Sequence, residues 1–279
     1  MTEPLSPGLY IVATPIGNLG DITARAAETL RGAGLILAED KRVSAKLLAH
    51  VGAKAPMIAY HDHSDDSVRA RIVAEAAVKP VALISDAGTP LISDPGYKLV
   101  RAVREAGVAV HTLPGPCAAI AALTLAALPT DRFLFAGFLP PKAKARADAI
   151  TELAALRASL VFYESGPRLG ESLAALTAGL GARDAAVVRE ISKLHEETAT
   201  GTLAELAERY ADQPPRGEIV IVVGPPGEAA EASDEALDAA LRDALVTLSP
   251  SRAAAEVAAL LGVPKKRAYA RALQLADGR

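Results

Sequence analysis

The sequence predicts an α/β protein made of two α/β domains and a small helical C-terminal tail. Three observations lead to this prediction. Short apolar runs alternate with amphipathic helical segments, as in mostly parallel sheets. Glycine- and proline-rich turns follow those runs, and an alanine-rich acidic segment and then a basic one replace the strand pattern near residue 228. We therefore expect domains at 1–128 and 129–227, with an acidic linker and helical tail at 228–279.

The first domain is predicted to contain a mostly parallel sheet. Its strands are the apolar runs 9–13, 35–38, 57–60, 81–84 and 108–113. A helix capped by Asp21 or Thr23 follows the first run, and further helices are expected at 67–78 and about 96–105. Because polar turns come directly after the strands, we expect the functional residues along one edge of this sheet.

The second domain follows a hinge-like segment, Leu128-Pro-Thr-Asp-Arg132. The basic segment 140–146 is expected to be a mobile loop, and the predicted strands are 133–138, 160–163, 186–191 and 218–223. In the tail, Ser249-Pro-Ser-Arg252 begins a helix that extends to about Leu261. A Gly-Val-Pro turn leads to a second, basic helix at Lys265, which is the outline of a helix-turn-helix.

Composition restricts the class of protein. The chain has 279 residues, a formal net charge of −3 and one cysteine, Cys117. No intrachain disulfide can form, and the polar first residues lack the apolar core of a signal peptide, so we expect a cytoplasmic protein. The longest apolar run, Cys117 to Leu128, is too short to span a bilayer. The net charge argues against a uniformly basic surface for nucleic acid.

The segment Val81 to Gly96 is the most informative in the chain. An apolar strand runs directly into Ser-Asp-Ala-Gly-Thr-Pro, where Gly88 and Pro90 predict a tight turn. A glycine at this point lets the backbone approach a ligand, and the carboxylate of Asp86 can accept hydrogen bonds. An ordinary strand-to-helix turn explains the glycine and proline, but it does not explain two Ser-Asp-x-Gly units in twelve positions. The segment therefore predicts a ligand site.

Two common nucleotide-binding motifs are missing. The first turn, Thr14-Pro-Ile-Gly-Asn-Leu-Gly20, has a proline and the wrong spacing for the dinucleotide-binding G-x-G-x-x-G motif. The chain also lacks the G-x-x-x-x-G-K-[ST] loop of P-loop NTPases. Both of these classes are therefore disfavoured.

Seven motifs occur in an order that resembles the tetrapyrrole methylase superfamily. They are Thr14-Pro-Ile-Gly-Asn-Leu-Gly-Asp21, Glu39-Asp-Lys-Arg42, Ser85-Asp-Ala-Gly-Thr-Pro-Leu-Ile-Ser-Asp-Pro-Gly96, Pro114-Gly-Pro-Cys-Ala118, Phe162-Tyr-Glu-Ser165, Arg189-Glu-Ile-Ser-Lys193 and Gly217-Glu-Ile-Val220. The similarity runs from about Leu9 to Val223. Within the superfamily, the motifs and the tail are similar to the branch that methylates ribosomal RNA.

The resemblance implies S-adenosylmethionine as the methyl donor, bound in a cofactor cleft between the two α/β domains. The cofactor contacts that it implies are Pro15, Asp86, Ala87, Gly88, Thr89, Ile92, Cys117, Ala118 and Glu164. The implied reaction is 2′-O-methylation of a cytidine ribose in small-subunit (16S) ribosomal RNA, with no metal. The thiol of Cys117 is expected to be buried and inert. The resemblance also implies a homodimer.

A ribose hydroxyl is a poor nucleophile, so a group that accepts its proton should help the reaction. The candidates are Asp40, Glu164, Glu190 and Lys193, with Asp40, Glu190 and Lys193 preferred. Lys193 could act as a base only if burial lowers its pKa, and it would otherwise contact phosphate. Asp40 suits a hydroxyl and Arg42 a phosphate, although a surface ion pair between them explains both residues equally well.

Basic segments are the further candidates for holding RNA phosphates. In the tail and in the second domain these candidates are Lys265, Lys266, Arg267, Arg271, Lys142, Lys144 and Arg146. Few acidic residues accompany the basic residues of the tail. Contacts of this kind would explain how an acidic enzyme holds a polyanion, although a solvated helix face also accounts for the tail.

Other interpretations stay open at this point. His61-Asp-His63 could hold a divalent metal, but the expected chemistry needs none, so a role in lining the substrate side is favoured. The chain could instead methylate a ring carbon of a tetrapyrrole, or be an idle RNA-binding assembly factor. Precorrin-type members tend to carry Gly-Asp-Pro where this chain has Gly88-Thr-Pro90, which favours the RNA branch.

Overall fold

The computed structural model describes residues 4–227 and 233–277 and divides the chain into two compact units at Pro225 and Pro226. The first unit contains both predicted α/β domains, and the second contains the helical tail. Residues 228–232 of the expected acidic linker lie outside the described residues. Within the described part of the chain, no helix is long and apolar enough to cross a membrane.

The first sheet is entirely parallel and has the strand order β3-β2-β4-β1-β5. Its strands are β1 (Gly8–Val12), β2 (Leu35–Ala38), β3 (Met57–Ala59), β4 (Pro80–Leu83) and β5 (Val110–Leu113). The inner strands are almost continuous apolar runs because helices cover both faces of the sheet. All five predicted strands are confirmed, with ends that differ by one or two residues.

Five helices alternate with these strands. They are α1 (Ala24–Gly32), α2 (Lys41–Val51), α3 (Asp66–Val78), α4 (Tyr97–Glu105) and α5 (Ala118–Leu125). Alternate strand residues point to opposite faces, so Ile36 packs with α1 and α2 whereas Leu37 packs with α3 and α4. Thr23 is the N-cap of α1, and its hydroxyl accepts the Ala26 N–H. Helices α2 and α5 were not predicted from the sequence.

The second sheet is mixed and has the strand order β6-β7-β10-β8-β9. Its strands are β6 (Phe133–Phe138), β7 (Ser159–Ser165), β8 (Asp184–Arg189), β9 (Glu197–Thr202) and β10 (Glu218–Val223). Only β6 and β7 run parallel, and the other neighbours are antiparallel. The edge strand β9 escaped prediction because its sequence, Glu-Thr-Ala-Thr-Gly-Thr, lacks an apolar run.

Helices α6 (Ala143–Leu153), α7 (Leu169–Leu180) and α8 (Leu203–Arg209) cover one face of the second sheet. The prediction of a mobile loop over 140–146 is therefore wrong from Ala143 onwards. The reason is a buried helix face, because Arg146 and Ile150 lie one turn apart and both point inward. Arg146 is only 3% exposed, and its guanidinium donates to Glu171 at 2.5 Å.

Helix α5 covers the other face of the second sheet and so joins it to the first half of the chain. Its small side chains, including Ala119 and Ala122, pack against Val161, Val188 and Val222. The predicted boundary at residue 128 lies just after this helix, but residues on both sides of it belong to one compact unit.

The C-terminal unit is a three-helix bundle of α9 (Asp234–Ala244), α10 (Pro250–Leu261) and α11 (Lys265–Asp277). The two predicted helices and the turn at Gly262, which has a φ of +66°, are confirmed. Carboxylates of α9 bind α11: Asp238 accepts two hydrogen bonds from Arg271, at 2.5 and 2.8 Å, and Asp234 pairs with Arg267 at 2.8 Å. The acidic partners of the tail come from a helix that the sequence analysis did not resolve.

Candidate active site

A cavity of about 350 Å³ lies where the turn after β4 faces the ends of β6 and β7 and the start of β10. This volume lies in the range of small-molecule sites. Its lining residues are Ile16, Asp86, Ala87, Gly88, Thr89, Ile92, Ser93, Asp94, Ala118, Phe138, Tyr163, Glu164, Ser165, Ile191, Gly217, Glu218, Ile219 and Val220. The lining is largely apolar, with a small set of carboxylates and hydroxyls.

A backbone bridge fixes the turn after β4. The Thr14 N–H donates to the Gly88 carbonyl at 2.8 Å, and the Gly88 N–H donates to the Thr14 carbonyl at 3.1 Å. The hydroxyls of Thr14 and Ser85 both reach the Gly88 carbonyl at 3.3 Å, and the Thr89 hydroxyl donates to the Pro116 carbonyl at 2.9 Å. The turn is therefore held from two neighbouring segments, the one after β1 and the one after β5.

Backbone strain is concentrated in the same loop. Gly88 and Gly96 have φ values of +81° and +137°, which glycine adopts readily. Leu91 and Ser93 also have positive φ, at +75° and +63°, where a side chain costs roughly 1–2 kcal/mol. Strain of this kind persists where the surroundings hold it in place, and such sites are enriched in functional loops.

The structure brings most of the predicted cofactor residues together. Seven of the nine line the cavity, namely Asp86, Ala87, Gly88, Thr89, Ile92, Ala118 and Glu164. Pro15 and Cys117 do not line it, although each precedes a residue that does, Ile16 and Ala118. The Cys117 thiol is half-buried at the start of α5. All nine residues therefore line the cavity or lie next to a residue that does.

Glu164 lines the cavity, and its carboxylate is fixed by hydrogen bonds. Its side chain is 1% exposed, its Oε1 accepts from the Ser165 N–H at 2.8 Å, and its Oε2 accepts from the Ser172 hydroxyl at 2.6 Å. The preceding Tyr163 accepts the Ala119 N–H, and burial raises the pKa of its phenol, so this hydroxyl stays protonated. A fully hydrogen-bonded, buried carboxylate is suited to a fixed acceptor rather than to a mobile base.

Three carboxyl groups, those of Glu39, Asp86 and Asp94, lie close enough to interact in the segments that follow β2 and β4. Burial raises the pKa of Asp94, and the neighbouring charge of Asp86 raises it further. Burial likewise raises the pKa of Glu39, with additional repulsion from Asp94 and Asp86. Asp86 accepts the Asp40 N–H at 3.0 Å, which ties the end of β2 to the cavity.

Asp40 is the N-cap of α2. Its Oδ1 accepts the Arg42 N–H at 2.7 Å, and its Oδ2 accepts from the Arg42 guanidinium at 3.1 Å. The side-chain hydrogen bond from Arg42 lowers the pKa of Asp40. The surface ion pair considered from the sequence is therefore present, and it leaves 34% of the Asp40 side chain and 92% of the Arg42 side chain exposed.

Glu190 and Lys193 form a pair beside the cavity. Although partial burial acts to lower the pKa of Lys193, its bonds to Glu190 and Glu218, each 2.8 Å long, outweigh this effect and raise it. The condition under which Lys193 could be a base is therefore not met. The bond from Lys193 also lowers the pKa of Glu190. The lysine stem lies against Gly17, where an added Cβ would sit 2.4 Å from Lys193 Cγ.

The His61-Asp-His63 segment has a structural use in this fold. Asp62 accepts the Gly96 N–H at 2.9 Å, and the hydroxyl of Ser64 accepts the His61 N–H at 3.1 Å. Across residues 4–227 and 233–277, no three His, Cys, Asp or Glu side chains are placed to hold a metal ion. The segment thus supports the strained loop that ends at Gly96.

Comparison with known proteins identifies the family. The family model of the tetrapyrrole (corrin/porphyrin) methylases matches residues 8–207. The chain belongs to the tetrapyrrole methylase family. A second model, the RsmI C-terminal HTH domain, matches residues 231–276. The family prediction from the seven motifs is confirmed, and with it the enzyme class, an S-adenosylmethionine-dependent methyltransferase.

Several relatives match almost the whole chain. The ribosomal RNA small subunit methyltransferase I of Erythrobacter litoralis is 57% identical over 98% of this chain and 97% of its own length. The protein of the same name from Escherichia coli O157:H7 is 45% identical over 95% of this chain and 94% of its own. The similarity thus includes the C-terminal unit as well as the methylase fold.

Solved structures share the fold of the first unit. Diphthine synthase superposes with a TM-score of 0.62 at 15% identity, covering 77% of this chain and 89% of its own. Uroporphyrin-III C-methyltransferase from Thermus thermophilus, solved with S-adenosylhomocysteine, superposes with a TM-score of 0.54 at 20% identity, covering 78% and 97%. The predicted tetrapyrrole-methylase-like α/β fold is therefore confirmed.

Several cavity residues of this family member were missed by the sequence analysis. Tyr163 and the stretch Gly217 to Val220 lie inside motifs that carried the family resemblance, so a signal was present. Asp94 also lies in such a motif. Phe138 had no motif: it follows Gly137, where the register between β6 and β7 shifts. A bulge of this kind cannot be read from the apolar pattern of a strand.

Gly88→Val is expected to abolish S-adenosylmethionine binding while the chain stays folded. The substitution adds bulk at the cavity wall and strain of roughly 1–2 kcal/mol, because φ is +81°. Calorimetry with S-adenosylmethionine measures the loss. Gly88→Ala is the matched control: its Cβ would contact Ile16 at an ordinary 3.4 Å, so it carries the strain with little bulk. Unchanged affinity in a folded Gly88→Val protein would place the cofactor elsewhere.

Asp94→Asn is expected to stabilise the ligand-free protein at neutral pH. The folded pKa of Asp94 is raised above 3.8, so the ionised side chain destabilises the fold, and this penalty grows as pH rises through the window above 3.8. Below pH 3.8 the carboxyl is protonated in both states, and the gain should vanish. Melting temperatures from pH 3 to 8 measure this, with the exposed Asp131→Asn as the control. A pH-independent difference would contradict the assignment.

Proposed function

We propose that the protein transfers a methyl group from S-adenosylmethionine to the 2′-hydroxyl of a cytidine in small-subunit ribosomal RNA. The observation that carries this proposal is the 57% identity over 98% of the chain to a relative named ribosomal RNA small subunit methyltransferase I. The match to the RsmI C-terminal HTH domain extends it to the tail.

The cavity suits the cofactor. When bound, S-adenosylmethionine supplies an electrophilic methyl group on a sulfonium. The chain's own part is to exclude water and to hold the cofactor: Ile16, Ile92 and Ile191 provide apolar walls, and the turn at Gly88 leaves room for close approach. The carboxylate of Asp86 can accept hydrogen bonds from hydroxyl or amino groups. No covalent nucleophile is needed for a direct displacement.

Among the candidate proton acceptors, Asp40 supports the reaction best. Its carboxylate is ionised, partly exposed and tied through its N–H to Asp86 at the cavity wall. Both Asp40 and Glu190 are paired with a cation, but the Glu190 side chain is less exposed, at 19% against 34%, which favours a positioning role for Glu190 and Lys193. As the hydroxyl oxygen bonds to the methyl carbon and the carbon–sulfur bond breaks, the oxygen gains positive charge and its proton becomes more acidic. An ionised acceptor in hydrogen-bond reach is then sufficient to take the proton.

Contacts with the RNA are proposed for the exposed cations outside the cavity. Lys265 and Lys266 are exposed at the start of α11, and Lys142 and Lys144 at the start of α6. Lys144 pairs with Asp148, but 90% of its side chain is exposed. Arg146, Arg267 and Arg271 are engaged in ion pairs within their own units and expose no more than 39% of their side chains, which makes them poorer candidates. The partner is then the RNA or the assembled small subunit, and the reaction takes place in the cytoplasm, where ribosomes are found.

A homodimer is proposed as the working form. Ile120 and Leu125 on α5 and Phe133 and Leu134 on β6 expose between 37% and 48% of their surface, although all four are large and apolar. Apolar side chains exposed in neighbouring segments are typical of surfaces that a partner covers. A second copy of the chain is the partner that the family resemblance implies.

The alternative substrate is a tetrapyrrole. Fold neighbours named uroporphyrin-III C-methyltransferase share 20–22% identity with the chain and cover 77–78% of it, which supports the fold and not the substrate. The exposed lysines at the start of α11 have no use on a small ring, so the RNA is favoured.

The decisive experiment supplies the purified protein and labelled S-adenosylmethionine with unmethylated small ribosomal subunits, free small-subunit RNA or a uroporphyrinogen. We expect label on a cytidine ribose in RNA and none on the porphyrinoid. Nuclease mapping of the 2′-O-methyl group identifies the nucleotide. Label on the porphyrinoid alone would overturn the proposal, and binding of cofactor and RNA without transfer would favour an assembly factor.

The same assay examines the proton acceptor. Asp40→Asn keeps the N-cap and the shape but removes the charge, so turnover should fall by about a hundredfold or more with cofactor affinity unchanged. Glu190→Gln serves as the comparison variant and should act mainly through stability. A fall of less than about threefold in Asp40→Asn would reject Asp40.

Neutralising the tail should weaken RNA binding and flatten its salt dependence. Lys265→Ala with Lys266→Ala removes two proposed phosphate contacts, so the slope of log affinity against log salt should fall by about 1.4 to 1.8. Arg252→Ala is the control, since this exposed cation lies about 14 Å along α10 from the turn. If the double variant and the parent show the same slope of log affinity against log salt, Lys265 and Lys266 lie on a solvated helix face and do not contact phosphate.

A further inference from the structure

The cavity is acidic, which is a difficulty for an enzyme that acts on a polyanion. Its lining includes the side chains of Asp86, Asp94, Glu164 and Glu218, and no lysine or arginine is among the lining residues that the structure describes. Phosphates are repelled by such a lining. The backbone on either side of a target ribose must therefore be held by cations outside the cavity but close to its mouth.

Helix α2 carries cations of this kind and no acids. Between Lys41 and Val51 it contains Lys41, Arg42, Lys46 and His50, and it has no Asp or Glu. All four basic side chains are exposed, whereas the inward face of the helix packs into the core of the first sheet. A solvated helix face usually mixes charges of both signs, and this one does not.

The spacing of the basic residues on α2 suits a chain of phosphates. Arg42, Lys46 and His50 are four residues apart, so they follow one another on the same side of the helix at intervals of about 6 Å. Arg42 and Lys46 lie opposite the buried residues Ser44, Leu47 and Leu48 and so point directly into solvent. A line of cations at this interval can engage successive phosphates of one strand.

The row of basic residues on α2 begins beside the cavity. Asp40, the N-cap of α2, donates its N–H to Asp86 at 3.0 Å, and Asp86 lines the cavity wall. At the other end, Arg31 donates to the Val51 carbonyl at 3.1 Å, which covers the C-terminus of the helix with a further cation. Every charged side chain on the solvent face of α2 is therefore basic.

We propose that the solvent face of α2, through Lys41, Arg42 and Lys46, binds phosphates of the RNA strand next to the nucleotide whose ribose enters the cavity. This inference rests on the proposed function, since it assigns the substrate track of the same site. A single polynucleotide strand is the occupant, because a linear series of phosphates matches a linear series of cations. Because the net charge of the whole chain is −3, the RNA must be held by local groups of cations such as this one.

The test uses Lys41→Ala with Lys46→Ala. This variant leaves Arg42 in place, so its ion pair with Asp40 is kept, and alanine favours the helix. Removing two single-strand phosphate contacts should lower the slope of log affinity against log salt by about 1.4. The probe is an unmethylated small-subunit RNA transcript. The KM for RNA should rise while kcat at saturating RNA and cofactor affinity stay unchanged.

The matched control is Lys98→Ala with Arg104→Ala on α4. Both residues are exposed, and α4 packs on the opposite face of the same sheet, so the control removes equal charge from the far side. It should leave the slope unchanged. Lys46→Arg, which retains the charge, should behave as the parent.

Two outcomes overturn the inference while leaving the proposed function intact. In the first, the parent enzyme methylates RNA, and the α2 variant shows the same slope of log affinity against log salt as the parent. The other is an equal loss of slope in the α4 control, which would mean that only total charge matters. A parent that does not methylate RNA at all would instead refute the proposed function.

Discussion

The pair of backbone hydrogen bonds between Thr14 and Gly88 is the constraint on which the site depends. It joins the turn after β1 to the turn after β4, two neighbouring strands of a parallel sheet whose ends open on the same edge. Gly88 forms this bridge at a φ of +81°, and the side-chain hydroxyls of Thr14 and Ser85 donate to its carbonyl. The strain at Leu91 and Ser93 persists because the loop is anchored at this end and through Gly96 at the other.

Electrostatics divides the molecule into two kinds of surface. Carboxyls collect at the cavity, and burial together with mutual repulsion raises the pKa values of Asp94 and Glu39. An arrangement that disfavours its own charged state lowers the stability of the free protein, and such sites are common where ligands bind. Cations remain outside, on the solvent face of α2 and at the start of α6 and α11. The acidic cavity suits a cationic cofactor, and the local groups of exposed cations suit the proposed polyanionic substrate.

Much of the fold could be predicted from the sequence, because strands buried on both faces leave uninterrupted apolar runs such as those at β4 and β10. The edge strand β9 has no such run, and α6 was hidden by a basic segment in which Arg146 turns inward to Glu171. Of the cavity, the turn around Gly88 was predictable because its glycine and carboxylate spacing is unusual. Phe138 was not, since a change of register in β6 places it there and the apolar pattern carries no trace of it.

The arginines and lysines of the tail show why charge in a sequence does not identify a binding surface by itself. Arg271 donates two hydrogen bonds to the carboxylate of Asp238, and the planar guanidinium group favours this bidentate geometry. Lys265 and Lys266 precede it at the start of the helix and are exposed. Arg271 thus stabilises the packing of α9 on α11, whereas Lys265 and Lys266 are accessible to a ligand. On α2 the N-cap Asp40 engages Arg42 in the same way, and Lys41 and Lys46 stay exposed. A basic helix is therefore a candidate for phosphate binding only after its internal partners have been subtracted, and by this criterion each of the two helices keeps two lysines.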